Sequence, residues 1–246
     1  MDVPSWIKAL RADGELLAEI AAATSPDAKV PGCPEWQLRD LLAHVGRIHR
    51  WAGAMVAGQV DRAGAGQLRG IMTDTTTPAD GEIVDWFRTG HRDLVETLEA
   101  APADLDCFTF LPAPSALAFW ARRQAHETAV HRVDAEQAAG RPSRIDPAFA
   151  ADGVDELLIG FLPRNKKLRD APPRTLLITT GERHWRIAIG PDLAVTEVSA
   201  PEPADATISG APETLYLALW NRLPWHELTV TGDENLPAFW AEEFRV

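Results

Sequence analysis

Two residues one helical turn apart, Glu127 and His131, are the pair in this chain best placed to do chemistry. At about 100° per residue they lie roughly 40° apart around a helix axis, so one carboxylate oxygen and one imidazole nitrogen can approach a single ion from the same side. Trp120, Arg123, Gln124 and Asp134 fall on that side too, and Phe119, Val130 and Val133 form the apolar strip beside it. A second feature is His44, set between Leu41 and Ile48 on what should be the inward face of another helix. A polar ring there needs a partner. Brought together, two nitrogens and one oxygen make a three-ligand site for a divalent metal with positions left for water or substrate. Zinc suits such a set, and nickel, cobalt or iron are also compatible. The residues taken alone leave plainer readings open: a core histidine bonded to a backbone carbonyl, and an ordinary Glu–His pair on a solvated face.

His126-Glu127 followed by His131 resembles the zincin HExxH pattern, but the second histidine comes one residue too late. His126 and His131 point about 140° apart on a regular helix, so they do not share an ion and His126 is read as a neighbour of the site. His49, His91, His184 and His226 have no ligand-like spacing and are read as structural or exposed. Cys33 and Cys107 offer neither a CxxC pair nor a disulfide framework. Cys33 precedes a proline and is read as structural.

The elements that must position these residues are helical in the first half of the chain. Apolar periodicity predicts helices at about 5–23, 36–58, 80–100 and 115–139, the last closed by Gly140-Arg141-Pro142. The Gly- and Thr-rich stretch 59–79 is expected to be an irregular loop. Four helices with one apolar face each predict an antiparallel bundle. A fifth helix is expected over 147–162, and Pro172-Pro173 marks a candidate boundary where the pattern changes. Beyond it TLLITT and HWRIAIG flank Gly181-Glu182-Arg183 as a hairpin. AVTEVSA, DATISG and ELTVTGD read as strands, PETLYLALWNR as a helix and LPAFWAEEF as a terminal helix. The fold class expected is therefore α+β, a four-helix bundle over 1–145 followed by a connecting helix and small α/β domain over 146–246.

The formal charge of −12, from 24 Lys+Arg against 36 Asp+Glu, speaks against nucleic acid or an anionic membrane as partner. The N-terminal residues lack the pattern of a signal peptide, and no stretch is long and apolar enough for a membrane span, so a cytoplasmic location is expected. Nearly all basic residues are Arg, the only lysines being Lys8, Lys29, Lys166 and Lys167, a bias typical of GC-rich coding.

Three separated runs then converge on one family. CPEWQLRDLLAHVGRIHRWA (33–52) is similar to the second-helix motif of the mycothiol-dependent maleylpyruvate isomerases, within the broader DinB-like bundles. HETAVHRVDAE (126–136) resembles the fourth-helix motif, and ADATISGAPETLYLALWNRLP (204–224) resembles the sterol-carrier-like C-terminal domain. The resemblance spans nearly the whole chain in the same order. It implies that His44, Glu127 and His131 are metal ligands, that Asp134 orients one of them, and that Arg222 is the C-terminal-domain arginine that pairs with a substrate or thiol carboxylate. Arg123, Gln124 and Asp134 are the candidates for hydrogen bonds to mycothiol. The implied partners are a low-molecular-weight thiol and a small electrophile, and the implied reaction is thiolate addition to an unsaturated bond, ending in cis–trans isomerisation or S-transfer. A non-catalytic accessory module and a thiol-independent metal hydrolase are the alternatives.

Overall fold

The computed structural model describes residues 1–233 and 235–243. The chain divides into two compact units, Met1–Ser143 and Arg144–Val246.

The first unit is built on four long helices, α1 (Val3–Ala22), α2 (Leu38–Ala57), α5 (Ile83–Ala100) and α6 (Ala116–Ala138), with short helices α3 (Arg62–Gln67) and α4 (Arg69–Thr73) between the second and third. Three of their starts are written locally. The Asp2 carboxylate accepts from the Ser5 N–H, Asp40 from the Gln37 N–H at the head of α2, and the Ser115 hydroxyl from the Ala118 N–H. Each satisfies a donor that the first helical turn leaves open. Helix α6 ends where Gly140 takes a φ of +65°, a conformation glycine adopts without steric cost. α1 packs against α5 and α6, and α2 against the same two helices, which closes the bundle. The loop expected over 59–79 is thus partly helical. Asp61 caps the first of its turns by accepting from the Gly64 N–H, a local signal outweighed in the sequence by the surrounding Gly and Thr.

α6 is the central element. Instead of one apolar stripe it is buried on nearly every side, including His126, Thr128, Arg132, Asp134 and Glu136. Burial of so many polar groups requires partners. Arg132 provides two of them, reaching Asp13 on α1 (3.1 Å) and Glu136 one turn on (2.6 Å).

A second polar cluster sits in the bundle core. His49 is fully buried, with Nε2 2.8 Å from the Thr128 hydroxyl, and its ring lies 5.3 Å from that of His91. Gly14 on α1 admits the His91 ring, since a Cβ there would fall 2.2 Å from its Cε1. Burial holds the His49 pKa well below the usual histidine value and lowers that of His91 as well. Because the unfolded chain binds protons at these rings near the ordinary pKa of about 6.5, their contribution to stability is complete above that pH and is lost as the pH falls below it. Urea midpoints should therefore drop between pH 7.5 and 5. His49→Gln, which keeps a hydrogen-bonding side chain and removes the titration, should flatten that slope; an unchanged slope would exclude His49 as a contributor.

The second unit opens with α7 (Pro147–Asp155), which runs into a π-helical turn, Glu156–Phe161, and a 3₁₀ turn, Leu162–Arg164, followed by α8 (Lys166–Asp170). The single helix expected over 147–162 changes pitch because Pro163 has no N–H with which to close an α-type bond. Its sheet contains β1 (Arg174–Thr180), β2 (Arg183–Ile189), β3 (Ala194–Val198), β4 (Ala206–Ser209) and β5 (Thr229–Gly232), in the order β3-β2-β1-β4-β5. The β1–β2 hairpin turns on Gly181-Glu182, with φ of +53° at the glycine. β1 and β4 pair in parallel and the other neighbours antiparallel. Helix α9 (Pro212–Leu219) packs on α7, and Asp155 at the end of α7 accepts from Arg183 (2.9 Å) and from the Trp185 indole (3.1 Å) on β2. These contacts place the connecting helix in the same unit as the sheet, so Pro172-Pro173 lies inside that unit. Helix α10 (Leu236–Glu243) closes the described chain, and Phe244 of the expected terminal helix lies outside the described residues. Among the described residues no helix is long and apolar enough to cross a membrane.

Candidate metal centre

α2 and α6 run antiparallel, and their register can be read from two contacts. His44 meets Glu127 (Nε2 to Oε1, 3.3 Å), and seven residues further along α2 the Trp51 ring meets that of Trp120, seven residues back along α6 (centroids 5.1 Å). At the first of these crossings His131 also approaches the same carboxylate oxygen, its Nε2 3.4 Å from Oε1. One donor atom each from His44, Glu127 and His131 lies within 4.8 Å of the others. A tetrahedral ion with bonds of about 2.0–2.1 Å spaces neighbouring ligand atoms about 3.3–3.4 Å apart, so the two observed nitrogen–oxygen separations fit such an ion. The donor chemistry fits as well, and the remaining polar atoms of His131 and Glu127 are committed to other partners. Asp134, fully buried, faces His131 Nδ1 at 2.8 Å, which puts a proton on Nδ1 and leaves the Nε2 lone pair for an ion. Arg123 donates from Nη2 to Glu127 Oε2 at 2.5 Å, leaving Oε1 for the site.

The electrostatics of the protein alone are those of a proton held where a cation would sit. Burial by itself would raise the Glu127 pKa, but hydrogen bonds from His131 and His44 and the nearby Arg123 charge hold it well below the usual carboxylate range. Burial would depress His131, but hydrogen bonds to Asp134 and Glu127 outweigh it and raise the pKa to about 9. A carboxylate fixed in its anionic form beside an imidazole that seeks positive charge makes a cation-selective spot.

Of the residues singled out in the sequence, His44, Glu127, His131, Arg123 and Asp134 come together. Asp134 is turned away from solvent and faces the His131 imidazole. Gln124 lies one turn from Glu127 and is almost fully buried, and its Oε1 has no hydrogen-bond partner among the described residues. In the second unit, Arg222 follows α9 and donates from Nη1 to the Trp220 carbonyl at 2.7 Å. His126 is buried and is not among the grouped ligand atoms, as its angle on the helix implied.

Two neighbours carried no signal of their own. The Trp36 ring lies 4.8 Å from that of His44 and 6.1 Å from that of His131, walling one side of the triad. Cys33 Sγ lies 3.9 Å from Asp134 Oδ2. Both belong to the loop before α2, and only the return of that loop across α6 brings them here. Asp134→Asn tests the supporting shell: losing the buried negative charge behind His131 should weaken metal retention about 10–100-fold in a chelator competition. Unaltered retention would remove Asp134 from that role.

Comparison with known proteins shows the family and the fold. Residues 7–136 match the family model described as the mycothiol maleylpyruvate isomerase N-terminal domain, and residues 148–239 match the corresponding C-terminal domain. Two solved structures share the fold. One is a mycothiol-dependent maleylpyruvate isomerase, at 11% identity with a TM-score of 0.58; the other is a histidine-to-alanine mutant of such an enzyme, at 10% with a TM-score of 0.60. Each alignment covers 94% of this chain and 93% of the other. No curated protein sequence matches the chain.

Proposed function

We propose, from the premise that this chain belongs to the mycothiol maleylpyruvate isomerase family, that it is a mycothiol-dependent metalloenzyme acting on a small unsaturated or electrophilic molecule. The observation that carries the reading is the convergence of His44, Glu127 and His131, one donor atom each, within 4.8 Å. In this reading residues 1–145 form the metal-binding bundle and 146–246 the connecting helix and α/β domain.

His44, Glu127 and His131 would hold one divalent ion, zinc being the best match to two imidazoles and a carboxylate. A bound ion of this kind supplies a thiol in its deprotonated form, which a free thiol with a pKa of about 8.5 adopts only in part at neutral pH. The chain's own residues do the rest. Asp134 fixes the His131 tautomer, and Arg123 fixes the rotamer of Glu127 and keeps it ionised. Trp36 walls off water on one side of the imidazoles. Gln124 Oε1, buried and unpartnered, is assigned to accept from an amide N–H or hydroxyl of the thiol. Arg222 is assigned to a carboxylate of the substrate or thiol, on the family resemblance alone.

Neither cysteine is suited to be the nucleophile. Cys107 is buried, and desolvation raises its pKa. Cys33 Sγ is directed at the Asp134 carboxylate, 3.9 Å away. The attacking sulfur therefore comes from a small molecule. Its addition to a cis double bond gives a carbon–carbon single bond free to rotate, and elimination of the same thiol returns the trans isomer. Where elimination does not follow, the product is the thioether conjugate. The test is turnover of an unsaturated electrophile by metal-loaded protein with mycothiol, with glutathione and with no thiol. Equal rates in all three arms would leave a thiol-independent metal hydrolase as the better reading.

A further inference from the structure

The segment between α1 and α2 contains only turns and one isolated bridge, Lys29 with Gln37, yet it is closely tied. Two tight turns follow one another: the Cys33 N–H donates to the Val30 carbonyl (3.0 Å) and the Trp36 N–H to the Cys33 carbonyl (2.8 Å). Pro34 takes the second place of the latter turn, where its fixed φ suits the chain. The Val30 N–H donates to the Trp36 carbonyl, the Leu38 N–H to that of Ala28 and the Arg39 N–H to that of Pro26, so the two flanks are joined at the head of α2. The Arg39 side chain adds ion pairs to Asp27 and Asp80. Val30 is fully buried, and Cys33 and Trp36 pack against the apolar core that α1 and α2 share.

This anchored turn delivers two side chains to one place. The Trp36 ring lies 4.8 Å from the His44 ring and 6.1 Å from the His131 ring, and those two rings stand 5.1 Å apart, nearly edge to face. Cys33 Sγ is directed at Asp134 Oδ2, the same oxygen that faces His131 Nδ1. One four-residue turn therefore meets both imidazoles and the carboxylate behind one of them. The imidazoles differ in what else restrains them. His131 is buried, with Asp134 at its Nδ1. His44 is a third exposed, and among the described residues its hydrogen bonding is to Glu127 alone. Apart from that carboxylate, what restrains the His44 ring is its contact with the Trp36 and His131 rings.

We propose that Trp36 is a positioning residue for the metal centre: its ring, fixed by the turn, holds the His44 and His131 imidazoles in the orientation that binds the ion. This rests on the reading of the triad as a metal site and adds what sets its affinity. A ligand set already in place removes the need to order those side chains as the ion binds. Partners that orient metal ligands are worth about 10–100-fold in affinity.

The experiment is zinc affinity by competition with a chromogenic chelator, together with the visible spectrum of the cobalt-loaded protein, which reports the geometry of the ligands. Trp36→Ala should weaken zinc about 10–100-fold and alter the position and intensity of the cobalt bands. Trp36→Phe keeps an aromatic ring against the imidazoles, and should restore the native bands and most of the affinity. Should the truncation fail to fold, Trp36→Leu keeps apolar bulk against the core, loses the ring and carries the same expectation. A Trp36 that served only the fold would lower the urea midpoint of the metal-free variants and leave the zinc affinity and cobalt bands of the folded protein native. That result overturns the proposal, as does a Phe variant no better than Ala. Native protein that binds no zinc would remove the metal reading and the proposal together. Zinc bound by native protein, lost in His44→Ala and retained at native affinity by the Ala and Leu variants of Trp36, would remove the proposal alone.

Discussion

Purified protein is expected to carry close to one divalent ion per chain, and His44→Ala to lose most of it. Removing a single carboxylate that merely orients a metal-bound histidine costs about 10–100-fold in affinity. Removing one of only three protein donors should cost at least as much, about 100-fold or more, enough for the ion to be lost on dialysis against a mild chelator. His44 makes a clean substitution. It is a third exposed, and its side chain meets Glu127, Trp36 and His131 at the edge of the bundle, so truncation opens no large cavity. Elemental analysis of native and variant protein, with a thermal midpoint to confirm folding, decides the matter. Metal content unaffected by His44→Ala would show that the ion, if any, is held elsewhere.

Thiol dependence should be the larger effect in turnover. At pH 7 a thiol of pKa about 8.5 is only a few per cent thiolate, so complete deprotonation is worth about 30-fold before orientation is counted. Holding sulfur and electrophile in a reactive geometry adds several further powers of ten. The rate with mycothiol should therefore exceed the rate without thiol by at least about 1000-fold, with glutathione well behind. The variant that tests the link to the site needs care. Glu127→Ala would take from Arg123, 5% exposed, the carboxylate one turn away, and removing one member of a buried ion pair is destabilising. Glu127→Gln keeps an oxygen for Arg123 and nearly the same volume while removing the anionic donor. It should stay folded, lose metal, and lose kcat/KM for the mycothiol-dependent reaction about 100-fold or more. A Gln variant with native turnover would detach the chemistry from this triad.

The parts of the molecule legible in the sequence are those encoded within a turn or two of chain. The spacing of Glu127 and His131 fixed their shared side of α6, and the same arithmetic excluded His126 as a third donor. Periodic apolar positions located the four long helices to within a few residues, with Gly140 closing the last, and Gly181-Glu182 located the hairpin. That His44 joins the pair came from resemblance, because helical periodicity reports which face a residue occupies and not which face of another helix it meets.

Tertiary structure alone decided the rest. The α2–α6 register, which sets His44 against Glu127, depends on residues some 80 positions apart packing in one of several possible alignments. Trp36 and Cys33 reach the site only because the loop before α2 folds back over α6. The parallel pairing of β1 with β4 joins strands separated by two others in the chain, a choice that no local pattern records. Arg123 is the clearest case. Expected as a hydrogen-bonding group for a thiol cofactor, it also donates to Glu127 one turn away, because the burial of α6 on nearly every side brings the two side chains together. The sequence determined which groups could reach a common point; packing determined which of them meet.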